Sequence, residues 1–121
     1  MSNLRKVLQE LLEGEDIPQY QFTPVPQDAG HAQRRAQQRG ISEEHIQIAL
    51  LRGYVEYLAH AKTYTLTDRR LMGTKFAKYA DELRGVRLVT EPPANPEAPE
   101  PIQITTVMWA EDIRSKRPRF K

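Results

Sequence analysis

Residues 41–58 have the sequence Ile-Ser-Glu-Glu-His-Ile-Gln-Ile-Ala-Leu-Leu-Arg-Gly-Tyr-Val-Glu-Tyr-Leu, and the pattern changes from helical to extended at Gly53. Ser42 is a suitable N-cap for the helix, and the isoleucines at its N′ and N4 positions are spaced as a hydrophobic staple. After Gly53, β-branched and aromatic residues predominate through residue 58 and again in residues 64–67, which favours a β-hairpin. A capped helix followed directly by a hairpin predicts an α+β fold.

An amphipathic helix is predicted in residues 1–14, with Ser2 as candidate N-cap and Gly14 as the stop. Five aliphatic side chains recur at the spacing of one helical stripe: Leu4, Val7, Leu8, Leu11 and Leu12. Such a stripe packs on the protein's own core or enters a groove of a partner protein, and the pattern leaves both possibilities open.

The next segment, residues 15–28, contains three prolines, which exclude a helix interior and predict an extended linker or a short edge strand. Asp28 can cap a second helix through residues 31–39, and Gly40 stands where a left-handed terminal residue is expected.

The second half of the chain predicts a short helix and two further strands. The helix covers residues 74–84, with Phe76, Tyr79 and Leu83 inward, and the strands cover residues 86–90 and 102–109. Five prolines in residues 91–101 predict an extended connection between the strands. We therefore expect N-terminal helices packed on a small, mostly antiparallel sheet.

These patterns divide the chain into four parts. They are an amphipathic helix in 1–14, a linker or edge strand in 15–28, an α+β domain in 29–112 and a basic tail in 113–121.

At 121 residues the chain is one domain long. Leu, Ile, Val and Phe together number only 27, so we expect a lean core, for which a partner chain or self-association is plausible. There are no cysteines, which excludes disulfides and thiolate metal sites.

Polar residues in every turn of the first segment do not fit a signal peptide or membrane span, and we expect a cytoplasmic protein without a membrane partner.

Charge is unevenly distributed. Residues 1–30 hold two basic and five acidic side chains, for a net charge of −3, whereas the remainder holds sixteen and eleven, for a net charge of +5. A basic body suits an anionic partner such as RNA or an acidic protein. Ordinary solvated charge explains the same distribution.

Residues 31–42, His-Ala-Gln-Arg-Arg-Ala-Gln-Gln-Arg-Gly-Ile-Ser, carry a motif of the form His-Ala-x-x-Arg, three residues, Arg-Gly-Ile. This motif resembles the opening of a bacterial domain-of-unknown-function family numbered 4258. Later segments resemble the rest of the family pattern, namely Arg52-Gly53, residues 64–66, residues 83–89 and residues 104–109. Ala36 stands where the family commonly has Met, and Met-Trp replaces the usual aromatic after Val107.

The resemblance covers residues 29–110 and implies a helix-helix-sheet architecture similar to the RNA-cleaving toxins of the RelE and barnase/EndoU type. The amphipathic helix in residues 1–14, here called helix 1, and the proline-rich connection lie outside the pattern. The family has no settled activity, so a toxin-like ribonuclease or RNA-binding role is an expectation from fold-level analogy.

A possible catalytic group is formed by His31, Arg35 and Arg39, which lie at i, i+4 and i+8 of helix 2. The imidazole could act as general acid or base while the guanidiniums stabilise charge on a phosphate, and this chemistry needs no metal or other cofactor. Further candidates are side chains that position or grip a phosphate: Tyr64, Arg84 and Thr106. Equally, His31 could satisfy backbone groups, the arginines could pair with acidic neighbours, and strand tyrosines and threonines could simply favour β-structure.

Two basic segments flanked by aromatics are compatible with single-stranded nucleic acid, namely Asp68-Arg-Arg70 near Tyr64, and residues 114–121 containing Phe120. Solvated turn and tail charge explains them equally well. Two hypotheses follow. One is a metal-independent endoribonuclease or RNA-binding module. The other is a non-catalytic module that docks a protein partner, or forms a homodimer, through helix 1 or the sheet edge.

Overall fold

The computed structural model describes residues 3–22, 31–58, 60–91 and 101–114, without the side chains of residues 31–33, 35 and 114. The helices are α1 (Leu4–Leu12), α2 (His31–Gln38), α3 (Glu43–Arg52), α4 (Asp68–Leu71), α5 (Ala80–Leu83) and α6 (Glu111–Arg114), with a 3-10 turn at Ala77–Tyr79. The strands are β1 (Tyr20–Phe22), β2 (Tyr54–Leu58), β3 (Ala61–Thr65), β4 (Val86–Thr90) and β5 (Ile102–Trp109).

One five-stranded sheet has the order β1-β5-β4-β3-β2. Three of its four pairings are antiparallel, and β1 pairs in parallel with β5 at the far edge. The predicted α+β class with a mostly antiparallel sheet is confirmed. Strand β1 lies within the segment predicted to be a linker or edge strand, and it is an edge strand.

Local signals account for the helix boundaries. Ser42 caps α3, accepting a hydrogen bond from the backbone N–H of His45, while the His45 ring accepts one from the Ser42 backbone N–H at 3.2 Å. Gly40, with a φ of 72°, reverses the chain between α2 and α3. The capped helix predicted from Ser42 is therefore confirmed, with a histidine completing the capping box.

Helices α2 and α3 pack on one face of the sheet, and α1 packs against α3. Alternate residues of β4 are buried beneath them, namely Val86, Leu88 and Thr90, so Arg87 and Val89 point to the opposite face, which we call the outer face. Leu8 and Leu12 of α1 are buried in the same core. Helix α1 therefore packs on its own domain. In the described part of the chain, no helix is long and apolar enough to cross a membrane.

One predicted helix is broken. Residues 74–84 form a 3-10 turn and the short α5, because the Thr74 hydroxyl donates to the Leu71 carbonyl at 2.7 Å and accepts from the Phe76 N–H at 3.1 Å. The inward positions of Phe76 and Leu83 are nevertheless confirmed, since both are fully buried. Helices α4 and α6 were not predicted, and β3 begins at Ala61, earlier than expected.

Several predictions concern residues outside the described ranges. These are the caps Ser2 and Asp28, most of the proline-rich connection, and tail residues 115–121.

Candidate functional site

Three arginines converge on a concavity of about 440 Å³ at the outer face. We call it the arginine pocket and define it by Arg69 and Arg70 of α4, Arg87 of β4, Tyr54 of β2 and Thr65 of β3. Its size falls within the range of ordinary ligand pockets. Helix α6 closes one side with Asp112 and Ile113.

The sheet register places the strand residues of this pocket side by side. Tyr54 pairs with Thr65, and Thr65 pairs with Arg87, so their side chains project from the same face of three adjacent strands. The Arg87 Nε donates to the Thr65 hydroxyl at 2.9 Å. This bond fixes the guanidinium against the sheet and leaves its terminal nitrogens for a ligand.

Helix α4 supplies the other two guanidiniums. Thr67 caps the helix, its hydroxyl accepting from the Arg70 N–H at 3.1 Å. The Arg70 Nε donates to the Arg52 carbonyl at 3.2 Å, and Arg69 is exposed. None of the three arginines of the pocket forms an ion pair with another residue in the described ranges.

Two carboxylates, Glu56 and Asp112, also line the pocket. Three cations against two anions leave a net charge of +1. Tyr54, a residue that is 51% exposed, offers an aromatic surface beside the guanidiniums. The arrangement can bind an anion that also carries a planar group, such as a nucleotide.

The predicted catalytic group on α2 is only partly described. The backbone of His31 and Arg35 lies in α2, but their side chains fall outside the described residues. The Arg39 Nη1 donates to the Val107 carbonyl at 2.6 Å, and the Trp109 indole N–H donates to the Arg39 carbonyl at 2.6 Å. Arg39 thus connects the end of α2 to β5.

Tyr64 lies on the helix-covered face, not on the outer face. It is 6% exposed and belongs to the core, with the Lys62 ammonium 5.1 Å from its ring centre. A hydrogen bond to Tyr64 raises the pKa of Lys62, against the opposing effect of burial. Tyr64 therefore packs as a core residue with a lysine ammonium over its ring.

Arg84 is buried at the corner between α5 and β4. Its Nε lies 2.7 Å from Asp68 Oδ1, and its Nη2 lies 3.0 Å from Asp81 Oδ1. Burial opposes the charged form, but these hydrogen-bonded carboxylates outweigh it and raise the pKa of Arg84. The guanidinium joins α4 to α5.

We expect Arg84→Ala to lower the free energy of unfolding by about 1–3 kcal/mol, because it removes two charge-assisted hydrogen bonds and buried packing. Urea denaturation measures this effect. Lys78→Ala, an exposed basic residue of the neighbouring 3-10 turn, is the control and should change stability by less than about 0.5 kcal/mol. Equal stability of the two variants would contradict this structural role.

Thr106 lies on the outer face, since it pairs with Val89 in the row next to Arg87 and Met108. Thr106 lies on the same face as the arginine pocket but is not one of the residues that line it. The described contacts place Arg39 against β5, Tyr64 in the core, Arg84 between α4 and α5, and Thr106 on the outer face.

Sequence reasoning identified Arg69 and Arg70 by their charge but missed Arg87 and Tyr54. The alternation of β4 contained a usable signal, because apolar Val86 and Leu88 place Arg87 on the opposite face. Nothing in the sequence indicated that α4 and α6 lie beside the outer face.

The buried His45 has a structural role. Its Nδ1 lies 2.6 Å from the Ser42 hydroxyl, and its ring meets the Trp109 ring edge-on at 6.0 Å. Among the described residues, no group of three His, Cys, Asp or Glu side chains is arranged to hold a metal ion.

Comparisons of the chain with protein-family models, with curated proteins and with solved structures found no match.

Proposed function

We propose that this domain binds single-stranded RNA at the arginine pocket. The observation that supports the proposal best is the convergence of three guanidiniums, from α4 and β4, around a concavity that also exposes the Tyr54 ring. Guanidiniums bind phosphates bidentately, and an exposed aromatic ring stacks with a base of any sequence. Phosphate and base are the two repeating parts of a single strand.

The site favours binding over cleavage. The residues that define the pocket include no histidine, and a metal-independent ribonuclease needs a group that moves a proton near neutral pH. A catalytic role for His31 stays a separate proposal, because it depends on a side chain outside the described residues. RNA incubated with the protein in EDTA is therefore expected to remain intact.

The small excess of positive charge predicts modest affinity with a clear salt dependence. Glu56 and Asp112 repel the phosphate backbone and restrict where it can pass. Each guanidinium that contacts a phosphate releases a counterion, so log K should fall as log salt rises.

We expect the double variant Arg69→Ala/Arg70→Ala to weaken binding of a short fluorescein-labelled RNA about tenfold and to flatten the salt slope by roughly 1–2. Fluorescence anisotropy at several salt concentrations measures both quantities. The matched control is Lys6→Ala/Lys78→Ala, which removes the same formal charge from exposed positions outside the pocket.

The control should keep the affinity within about twofold, because distant surface charges are screened. Equal weakening by both double variants would show that overall charge, not the pocket, attracts RNA. Absence of binding by the unaltered protein at low salt would also contradict the proposal.

A further inference from the structure

Strand β2 forms one edge of the sheet, and it has the features of a pairing surface. It pairs with β3 over five consecutive positions without a register shift. Within the described part of the chain, no strand pairs with its other side. Natural edge strands are usually protected by brevity, bulges, prolines or charged side chains, above all lysine. The opposite edge, β1, is protected in this way, since it has only three residues.

The side chains of β2 provide little of this protection. Tyr57 is 77% exposed and Leu58 is 58% exposed, and Glu56 is the only charged residue of the strand. These large apolar surfaces lie next to backbone N–H and C=O groups that pair with no other strand among the described residues. Strand and side chains together favour addition of another β-strand.

We propose that β2 pairs with β2 of a second copy of this chain, antiparallel about a two-fold axis, so that the two sheets become one. A second copy fits this edge because the side chains of β2 are complementary to those of another β2. In antiparallel pairing, opposite residues share a face, and the register that keeps all five residues paired is centred on Glu56. It places Tyr54 opposite the partner's Leu58, and Val55 opposite the partner's Tyr57.

This register contains favourable pairs and one unfavourable pair. The aromatic–aliphatic pairs each contribute about 0.2–1 kcal/mol, and two-fold symmetry repeats each of them. Glu56 faces the partner's Glu56 at the axis, where like charges oppose association. A pair of five-residue strands also buries less than the ~1,000 Å² typical of stable interfaces. We therefore expect a weak, reversible dimer.

The dimer would extend the surface of the arginine pocket, although the proposal does not depend on RNA binding. A two-fold axis between adjacent antiparallel strands is perpendicular to the sheet, so both outer faces point the same way. Because Tyr54 is the first residue of β2 and lines the pocket, the two pockets would lie on the same face, at opposite ends of the new pairing.

Sedimentation equilibrium over a wide concentration range tests the dimer. The mass of the unaltered protein should rise from 14.0 kDa towards twice that value as concentration increases. Tyr57→Glu should remain monomeric, because it places a charge opposite the partner's Val55. The control Met72→Glu makes a similar change at a residue that is 73% exposed and lies outside β2, and it should associate like the unaltered protein.

A charge exchange tests both the partner and the register. Glu56→Gln should tighten association about 2–5-fold, and mixing Glu56→Lys with unaltered protein should give a heterodimer about 2–5-fold tighter than either homodimer. A monomeric unaltered protein at all concentrations would overturn the proposal, as would loss of association in Met72→Glu. A mixture no tighter than the homodimers would overturn the register centred on Glu56.

Discussion

Gly53→Ala is expected to lower the free energy of unfolding by about 3 kcal/mol, because the added methyl group has no space. A Cβ at this position would lie 2.5 Å from the Ala49 carbonyl oxygen, 3.1 Å from the Thr65 nitrogen and 3.1 Å from the Tyr64 Cβ. Two of these neighbours are backbone atoms of α3 and β3. Relief therefore requires the last turn of α3 to shift, which weakens the hydrogen bond of 2.8 Å from the Gly53 N–H to the Ala49 carbonyl.

Backbone conformation is not the reason, since Gly53 has a φ of −65°, which alanine adopts readily. Gly14→Ala is the informative comparison. Gly14 has a φ of 81° but nothing within 4 Å of an added Cβ, so its substitution should cost only the strain of the left-handed backbone, about 1–2 kcal/mol. Urea denaturation of both variants measures the difference. A smaller loss for Gly53→Ala than for Gly14→Ala would contradict the close packing around Gly53, where the end of α3 meets β3.

Acidification is expected to destabilise the protein through Glu44, which joins α3 to α1. This carboxylate is buried, and it accepts hydrogen bonds from the Arg5 Nε at 2.8 Å and from the Gln9 amide at 2.7 Å. Burial raises the pKa of Glu44, but the bonds from Arg5 and Gln9 outweigh it and lower the pKa from 4.5 to about 2.

A folded-state pKa below the unfolded one means that the stabilisation is complete above pH 4.5 and is lost as pH falls towards 2. The shift corresponds to about 3 kcal/mol, reduced to about 2 kcal/mol because Arg5 is largely exposed to solvent. Urea midpoints measured between pH 6 and pH 2 should show this loss in the unaltered protein.

Glu44→Gln should lower stability near neutral pH and show a smaller additional loss in acid, because its amide does not titrate. Glu10→Gln removes an exposed carboxylate of α1 and should keep the full acid loss. Identical acid profiles for Glu44→Gln and the unaltered protein would show that Glu44 does not carry the effect.

The sequence was most informative where local chemistry decides structure. Strands β4 and β5 were predicted with their observed boundaries, because alternating apolar residues are bounded by Gly85 and by the proline-rich connection. The α3–β2 boundary followed from the Ser42 cap and Gly53. By contrast, nothing in Tyr20–Phe22 specifies parallel pairing with β5, a contact between segments about eighty residues apart. Helices of four residues, such as α4, are too short for helical periodicity to be recognised.

The candidate site was harder to predict from the sequence, for a related reason. Arg84 was considered a phosphate ligand, but its partner Asp68 lies sixteen residues earlier, and sequence spacing gives no indication of that pair. Arg39 was grouped with His31 by helical spacing, yet its guanidinium reaches the carbonyl of Val107 on β5. Charge and spacing thus identified basic residues, whereas tertiary contacts decided which of them are available to a ligand.

The most direct test of RNA binding at the arginine pocket is a titration of isotope-labelled protein with a short single-stranded RNA, followed by backbone amide chemical shifts. We expect the largest shifts at Arg69, Arg70, Arg87 and Tyr54, with little change along α1. Shifts centred on α2 would contradict the proposed location and favour the group containing His31 and Arg35. The absence of any shift would contradict RNA binding.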